Sequence, residues 1–126
     1  MRTLLCIVFQ FLFLLGFTQP PTENDIKNLA QKINIELKGS NLGSEIEFRG
    51  CIAFGRTLIY QYNVDEYWYA PNDMKEVIIA NFKEAGNAEM YFNYGVNAEF
   101  QYYFGNKLKK RVFVNSNEFS ELNFEL

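Results

Sequence analysis

Residues 45–64 read EIEFRGCIAFGRTLIYQYNV, and the fold turns on how that stretch is phased. Ile46, Phe48, Gly50, Ile52 and Phe54 alternate with Glu47, Arg49, Cys51 and Ala53; Leu58, Tyr60, Tyr62 and Val64 then alternate with Ile59, Gln61 and Asn63. A period of two marks strands, and the break at Gly55 marks a hairpin. A two-residue Gly55-Arg56 turn would oppose Phe54 to Thr57 and send the two apolar sets to opposite faces, the one-residue slip that a half-buried sheet avoids. The expected loop is therefore odd, Gly55-Arg56-Thr57. Phe48, Gly50, Ile52 and Phe54 then face Leu58, Tyr60, Tyr62 and Val64 on one apolar side.

On the N-terminal side, Ile26, Leu29, Ala30, Ile33 and Leu37 recur at spacings of three and four, with Thr22 or Asn24 to cap and Gly39 to stop a helix over 22–37. On the C-terminal side, Asp73 and Glu76 form a capping-box pattern ahead of Met74, Val77, Ile78, Phe82 and Ala85, with Gly86 as the stop. Residues 87–94 fit a short helix ended by Gly95 better than a strand. A second hairpin follows, Val96 to Phe104 and Leu108 to Val114, again with an odd loop, Gly105-Asn106-Lys107. Phe54-Gly55 matches Phe104-Gly105 and Leu58 matches Leu108, so two helix-hairpin units in tandem are one reading. Phe119, Leu122 and Leu126 allow a short terminal helix, or a frayed tail over 116–126.

One apolar face per sheet and one stripe per helix imply an α+β fold. The expectation is a two-layer sandwich, a four-stranded antiparallel sheet from two hairpins with helices on one face, in the order αββαββ. The wet face would display Arg49, Cys51, Ala53, Gln61, Asn63, Asn97, Glu99, Gln101, Tyr103, Lys109, Arg111 and Phe113. The chain has 126 residues, 48% hydrophobic and 21% charged, as expected of one globular domain.

Arg2 precedes an apolar run from Leu4 to Phe17, and Thr18-Gln19-Pro20-Pro21 turns polar and rigid. This reads as a secretory signal peptide over 1–18, cut before Gln19, leaving a single domain over 19–126. The run is shorter than a membrane span of about 20 residues, so no stable membrane anchor is expected after cleavage. The expected address is secreted or periplasmic. Cleavage leaves Cys51 as a lone thiol, so the core must hold the domain without an internal disulfide.

The segment Gly55 to Val64, followed by a helix and then by Gly95-Val96 leading into Phe100-Gln101-Tyr102-Tyr103, resembles small exported bacterial proteins of αββαββ arrangement and uncharacterised function. The likeness spans about 60 residues and rests on strand patterning. It implies a fold and an address. Such proteins often carry a cysteine pair near the second helix and the C-terminus, which this chain lacks, and the resemblance implies no catalytic residue.

Histidine is absent, which excludes Ser-His-Asp and Cys-His nucleophile pairs and imidazole metal sites. With 12 basic and 15 acidic residues, net −3, nucleic acid is an unsuited partner. Tyr67-Trp68-Tyr69 is the most unusual stretch, because three consecutive aromatics in a loop cannot all point inward. Either the loop seals the open end of the sheet, or its rings anchor a protein or stack on a sugar. Tyr103 and Phe113 add aromatic surface on the wet face. Asp65, Glu66, Asp73 and Glu76 lack the calcium-loop pattern, and neither a metal nor another cofactor is expected. Cys51 on the wet face is a free thiol, an intersubunit bridge or a small half-buried apolar group. Among Lys107, Lys109, Lys110 and Arg111, alternation sends Lys110 to the other face and lets Arg111 pair diagonally with Glu99, so the run reads as a lysine-guarded edge. The resulting expectation is a non-enzymatic exported module that captures a protein through the 67–69 loop or the wet face. The alternative is a domain binding a glycan or small apolar ligand between the aromatic loop and the helices. A carboxylate-only hydrolase ranks behind both, since spacing places no acid pair.

Overall fold

The computed structural model describes residues 21–41, 46–84, 86 and 88–121. The expected signal segment 1–18, the cut before Gln19 and the tail beyond 121 lie outside the described residues.

Helix α1 spans Glu23–Leu37 and starts where the sequence offers a cap. Thr22 accepts the Asp25 N–H at 3.1 Å, while Asp25 accepts the Thr22 N–H at 2.9 Å, satisfying two otherwise unpaired donors. The stripe Ile26, Leu29, Ala30 and Ile33 is buried. Helix α2 runs Met74–Glu84 and α3 runs Ala88–Tyr94, the short helix expected there. A single turn, α4, spans Glu118–Glu121. At α2, Asp73 takes the N-cap position and accepts the Val77 N–H through its carbonyl at 3.0 Å; the reciprocal side-chain box occurs at α1 instead.

The strands are β1 (Ile46–Phe54), β2 (Thr57–Val64), β3 (Asn97–Phe104) and β4 (Lys107–Val114), in one four-stranded sheet of order β1-β2-β3-β4. The fold is α+β, but the sheet is mixed. β1 pairs β2 and β3 pairs β4 antiparallel, whereas β2 and β3 run parallel, with Tyr60 opposite Phe100 and Tyr62 opposite Tyr102. This corrects the all-antiparallel expectation. A parallel neighbour needs a crossover of a dozen or more residues, and α2 and α3 with their flanking loops carry the chain back to the end at which β2 began.

The expected odd loops are also corrected. Phe54 pairs Thr57 and Phe104 pairs Lys107, leaving two-residue turns at Gly55-Arg56 and Gly105-Asn106. Gly55 and Gly105 take φ of +58° and +60°, the left-handed backbone such turns require at their first central position. The face conflict that an even turn creates is resolved elsewhere, by β-bulges. The first ladder shifts between Phe48 and Gly50, leaving Arg49 extra on β1; the second shifts between Tyr102 and Tyr103, leaving Lys109 extra on β4. Each bulge adds one residue and reverses parity beyond it. Both fall on edge strands, while β2 alternates without interruption and buries Leu58, Tyr60, Tyr62 and Val64.

The core is largely aromatic. Trp68 stacks on Tyr102 at 4.9 Å, Tyr102 on Tyr62 at 4.9 Å, and Phe48 meets the Tyr62 ring edge-on at 5.7 Å. A second branch runs from Tyr60 to Phe100 at 5.3 Å, then to Phe82 at 5.5 Å, which stacks on Phe119 at 5.2 Å. Such ring pairs add about 0.5–1.5 kcal/mol each beyond the area they bury. Arg56 fastens the β1–β2 turn to two other elements, donating to the Pro21 carbonyl at 2.9 Å, the Gly95 carbonyl at 3.3 Å and the Tyr94 carbonyl. Among the described residues no helix is long and apolar enough to cross a membrane.

Candidate functional site

The bulges decide what the face of the sheet opposite the core displays. Between its bulge and its turn, β1 sends Cys51 and Ala53 toward Leu58 and Tyr60, so Ile52 and Phe54 project to the other side. Placing Cys51 and Ala53 on the wet face was therefore an inversion of the geometry, and so was placing Ile52 and Phe54 in the core. Cys51 is 2% exposed, and burial pushes its thiol well above the usual range, leaving it protonated and out of reach of a partner chain. Ile52 is 49% and Phe54 78% exposed. Ile52 lies directly across from Ile59, which is half-buried. Beyond its own bulge, β4 likewise turns Leu108 outward, opposite Tyr103, rather than into the core.

Two hydrogen-bonded groups, linked by a cation–π contact, cross the middle of this face and together join all four strands. Arg49, the bulged residue, donates to the Gly105 carbonyl at 2.9 Å and to Asn63 Oδ1 at 3.5 Å, and its guanidinium carbon lies 4.5 Å from the centre of the Tyr103 ring. Asn63 donates to Glu47 at 2.9 Å. The Tyr103 hydroxyl and Gln61 Nε2 both donate to Gln101 Oε1, at 3.0 and 2.9 Å, and Gln101 donates in turn to Glu99. Arg111 closes the row, donating to Glu99 Oε1 at 2.8 Å, the diagonal pair the alternation predicts. Burial works against ionising Glu99, but the hydrogen bonds from Arg111 and Gln101 and the Arg111 charge outweigh it, and its pKa is lowered.

The 67–69 loop divides its aromatics between the two readings. Trp68 is 6% exposed and seals the core against Tyr102, whereas Tyr67 and Tyr69 are each 83% exposed. Asp65 shapes the turn by accepting the Tyr67 N–H at 2.9 Å, and Lys109 ties the loop to β4 by donating to the Glu66 carbonyl at 2.6 Å. Of the aromatic residues expected on the sheet, Tyr103 is half-buried beneath Arg49 and Phe113 is exposed, opposite Glu99.

The sequence reading missed Ile52, Phe54 and Leu108 as surface residues, while its alternation along β2 already set Ile59 on the parity of Gln61 and Asn63. The available signal was Gly50, since a glycine inside a strand pattern marks a bulge. Searches of protein-family models, curated proteins and solved structures return no match to the chain.

Proposed function

We propose that the protein is an exported, non-enzymatic interaction module that captures a protein partner on the open face of its sheet, with Tyr67 and Tyr69 as flanking contacts. The observation that carries this reading is the apolar group made by Phe54, Ile52 and Ile59 on one face of the β1–β2 pair. Exposed apolar residues scattered singly are ordinary, but neighbours grouped on a rigid strand pair beside a polar network have the composition of an interface. The network supplies prearranged polar groups at the rim, and most of its hydrogen bonds are already made. In this reading the domain is a two-layer sandwich of two hairpins with its helices on the core side; the support is that inward residues of all four strands join helix residues in one buried cluster.

The alternative, a glycan or small apolar ligand held between the aromatic loop and the helices, has less support, because Trp68 already packs against Tyr102 on that side. The test uses wild type and Ile52→Glu/Phe54→Glu as baits on envelope and medium of the exporting cell, with melting curves as the folding control. Wild type is expected to retain a partner that the variant loses by tenfold or more, equivalent to about 1.4 kcal/mol or more. Equal retention by a variant that melts like wild type would contradict the proposal.

A further inference from the structure

The two edges of the sheet are finished differently. Along the first part of β1 outward backbone groups are met: Phe48 donates to the Ser40 carbonyl at 2.9 Å and accepts from the Gly39 N–H at 2.9 Å, and Asn41 bridges Glu47. One step on, the Asn34 side chain acts as a surrogate strand, accepting the Cys51 N–H at 2.6 Å and donating to the Cys51 carbonyl at 2.7 Å. At β4, every second residue of an antiparallel edge strand turns its N–H and C=O away from its neighbour. No described residue meets those groups over Lys107–Val114. This open edge is also the most basic stretch of an acidic chain, with Lys107, Lys109, Lys110 and Arg111 within five residues and a net charge of −3 overall. Arg111 is paired with Glu99 and Lys109 is tied to the 67–69 loop, while Lys107 and Lys110 stand exposed.

We infer that β4 is a second docking surface, which accepts an extended acidic peptide as a fifth strand. Charge selects the occupant. A second copy of this chain pairing β4 to β4 would set lysine against lysine, which cross-strand repulsion disfavours, whereas acidic side chains at alternate positions of an added strand would meet Lys107 and Lys110. The ladder supplies main-chain hydrogen bonds and the lysines supply selectivity. The surface is separate from the Ile52–Phe54 group, so the two readings stand or fall independently.

The test is fluorescence anisotropy of the full chain with a labelled nine-residue peptide alternating Glu and Thr. Its comparators are the same peptide with Lys for Glu, and two versions N-methylated at odd or at even residues. Saturable binding of the Glu peptide is expected, at least tenfold weaker for the Lys peptide and for Lys107→Glu/Lys110→Glu, and weakened at least tenfold by one N-methylation phase but not the other. Equal binding of both phases would mean attraction without a ladder and would overturn the inference. So would equal binding of the Lys peptide, unchanged binding by the lysine variant, or no binding at millimolar peptide. Ile52→Glu/Phe54→Glu is expected to bind the peptide as wild type does.

Discussion

Adjacent residues in this chain have opposite fates, and their substitution effects should separate accordingly. Trp68→Ala removes an indole packed on Tyr102 and should cost about 3–5 kcal/mol in denaturant unfolding, while Tyr67→Ala and Tyr69→Ala should each stay within about 0.5 kcal/mol. A binding assay on Trp68→Ala therefore reports unfolding before it reports docking. Cys51, buried and with its thiol pKa raised, should resist an aromatic disulfide reagent in buffer and react fully in denaturant. Rapid labelling at Cys51 itself in the native chain would show that the phase of β1 is wrong. For Glu99 the sign follows from its lowered pKa: the folded state binds its proton less readily than the unfolded chain, so its contribution is present above the unfolded value of about 4.3 and fades as pH falls through the folded one. Wild type should melt above Glu99→Gln at pH 6, and the difference should shrink as the pH approaches 3.

At the level of elements, what the sequence revealed depended on whether a strand was central or at the edge. β2 was legible because its large apolar residues fall on one parity throughout and nothing interrupts them. β1 was not, because the bulkier pair Ile52 and Phe54 sits on the parity opposite to Cys51 and Ala53, so hydrophobicity alone favours burying the wrong set. The turn decided otherwise: glycine at position 55 suits a two-residue connection, which fixes Phe54 opposite Thr57 and leaves the bulge to correct the phase. Gly50, next to the bulge, has φ of +158°, and a Cβ there would lie 3.3 Å from Asn34 Oδ1, the atom that accepts the Cys51 N–H. Gly50→Ala should therefore destabilise by about 1–3 kcal/mol and increase the exchange of the Cys51 amide, read by calorimetry and hydrogen exchange. α1 and α2 were legible from spacing and stops alone, since helix periodicity is local, whereas over α3 the spacing also fitted a strand and the Gly95 stop favoured the helix found there.

For the whole molecule, the parallel pairing of β2 with β3 was beyond a reading that treated each hairpin separately, because it depends on which end of the sheet the crossover returns to. The same distinction applies to the site. The polar half of the open face, Arg49, Gln61, Asn63, Gln101, Tyr103 and Arg111, was read correctly because alternation carries it, and alternation also carries Ile59; Ile52 and Phe54 were not, because they reach that face only through the bulge on β1. The result is a sheet with one edge covered from Glu47 to Cys51 by Asn34 and residues 39–41, one edge open at β4, and an apolar group raised on the face between them.

The proposed docking role of that face is most directly tested by photocrosslinking in the cell that makes the protein, with a photoreactive phenylalanine analogue placed at Phe54 or at Ile35. Ile35 lies on α1, 81% exposed, and provides an equally accessible apolar position away from the strands of the sheet. A discrete protein adduct from position 54 and none from position 35 is the expected result. The same adduct from position 35, or none from position 54 in a folded protein, would contradict it.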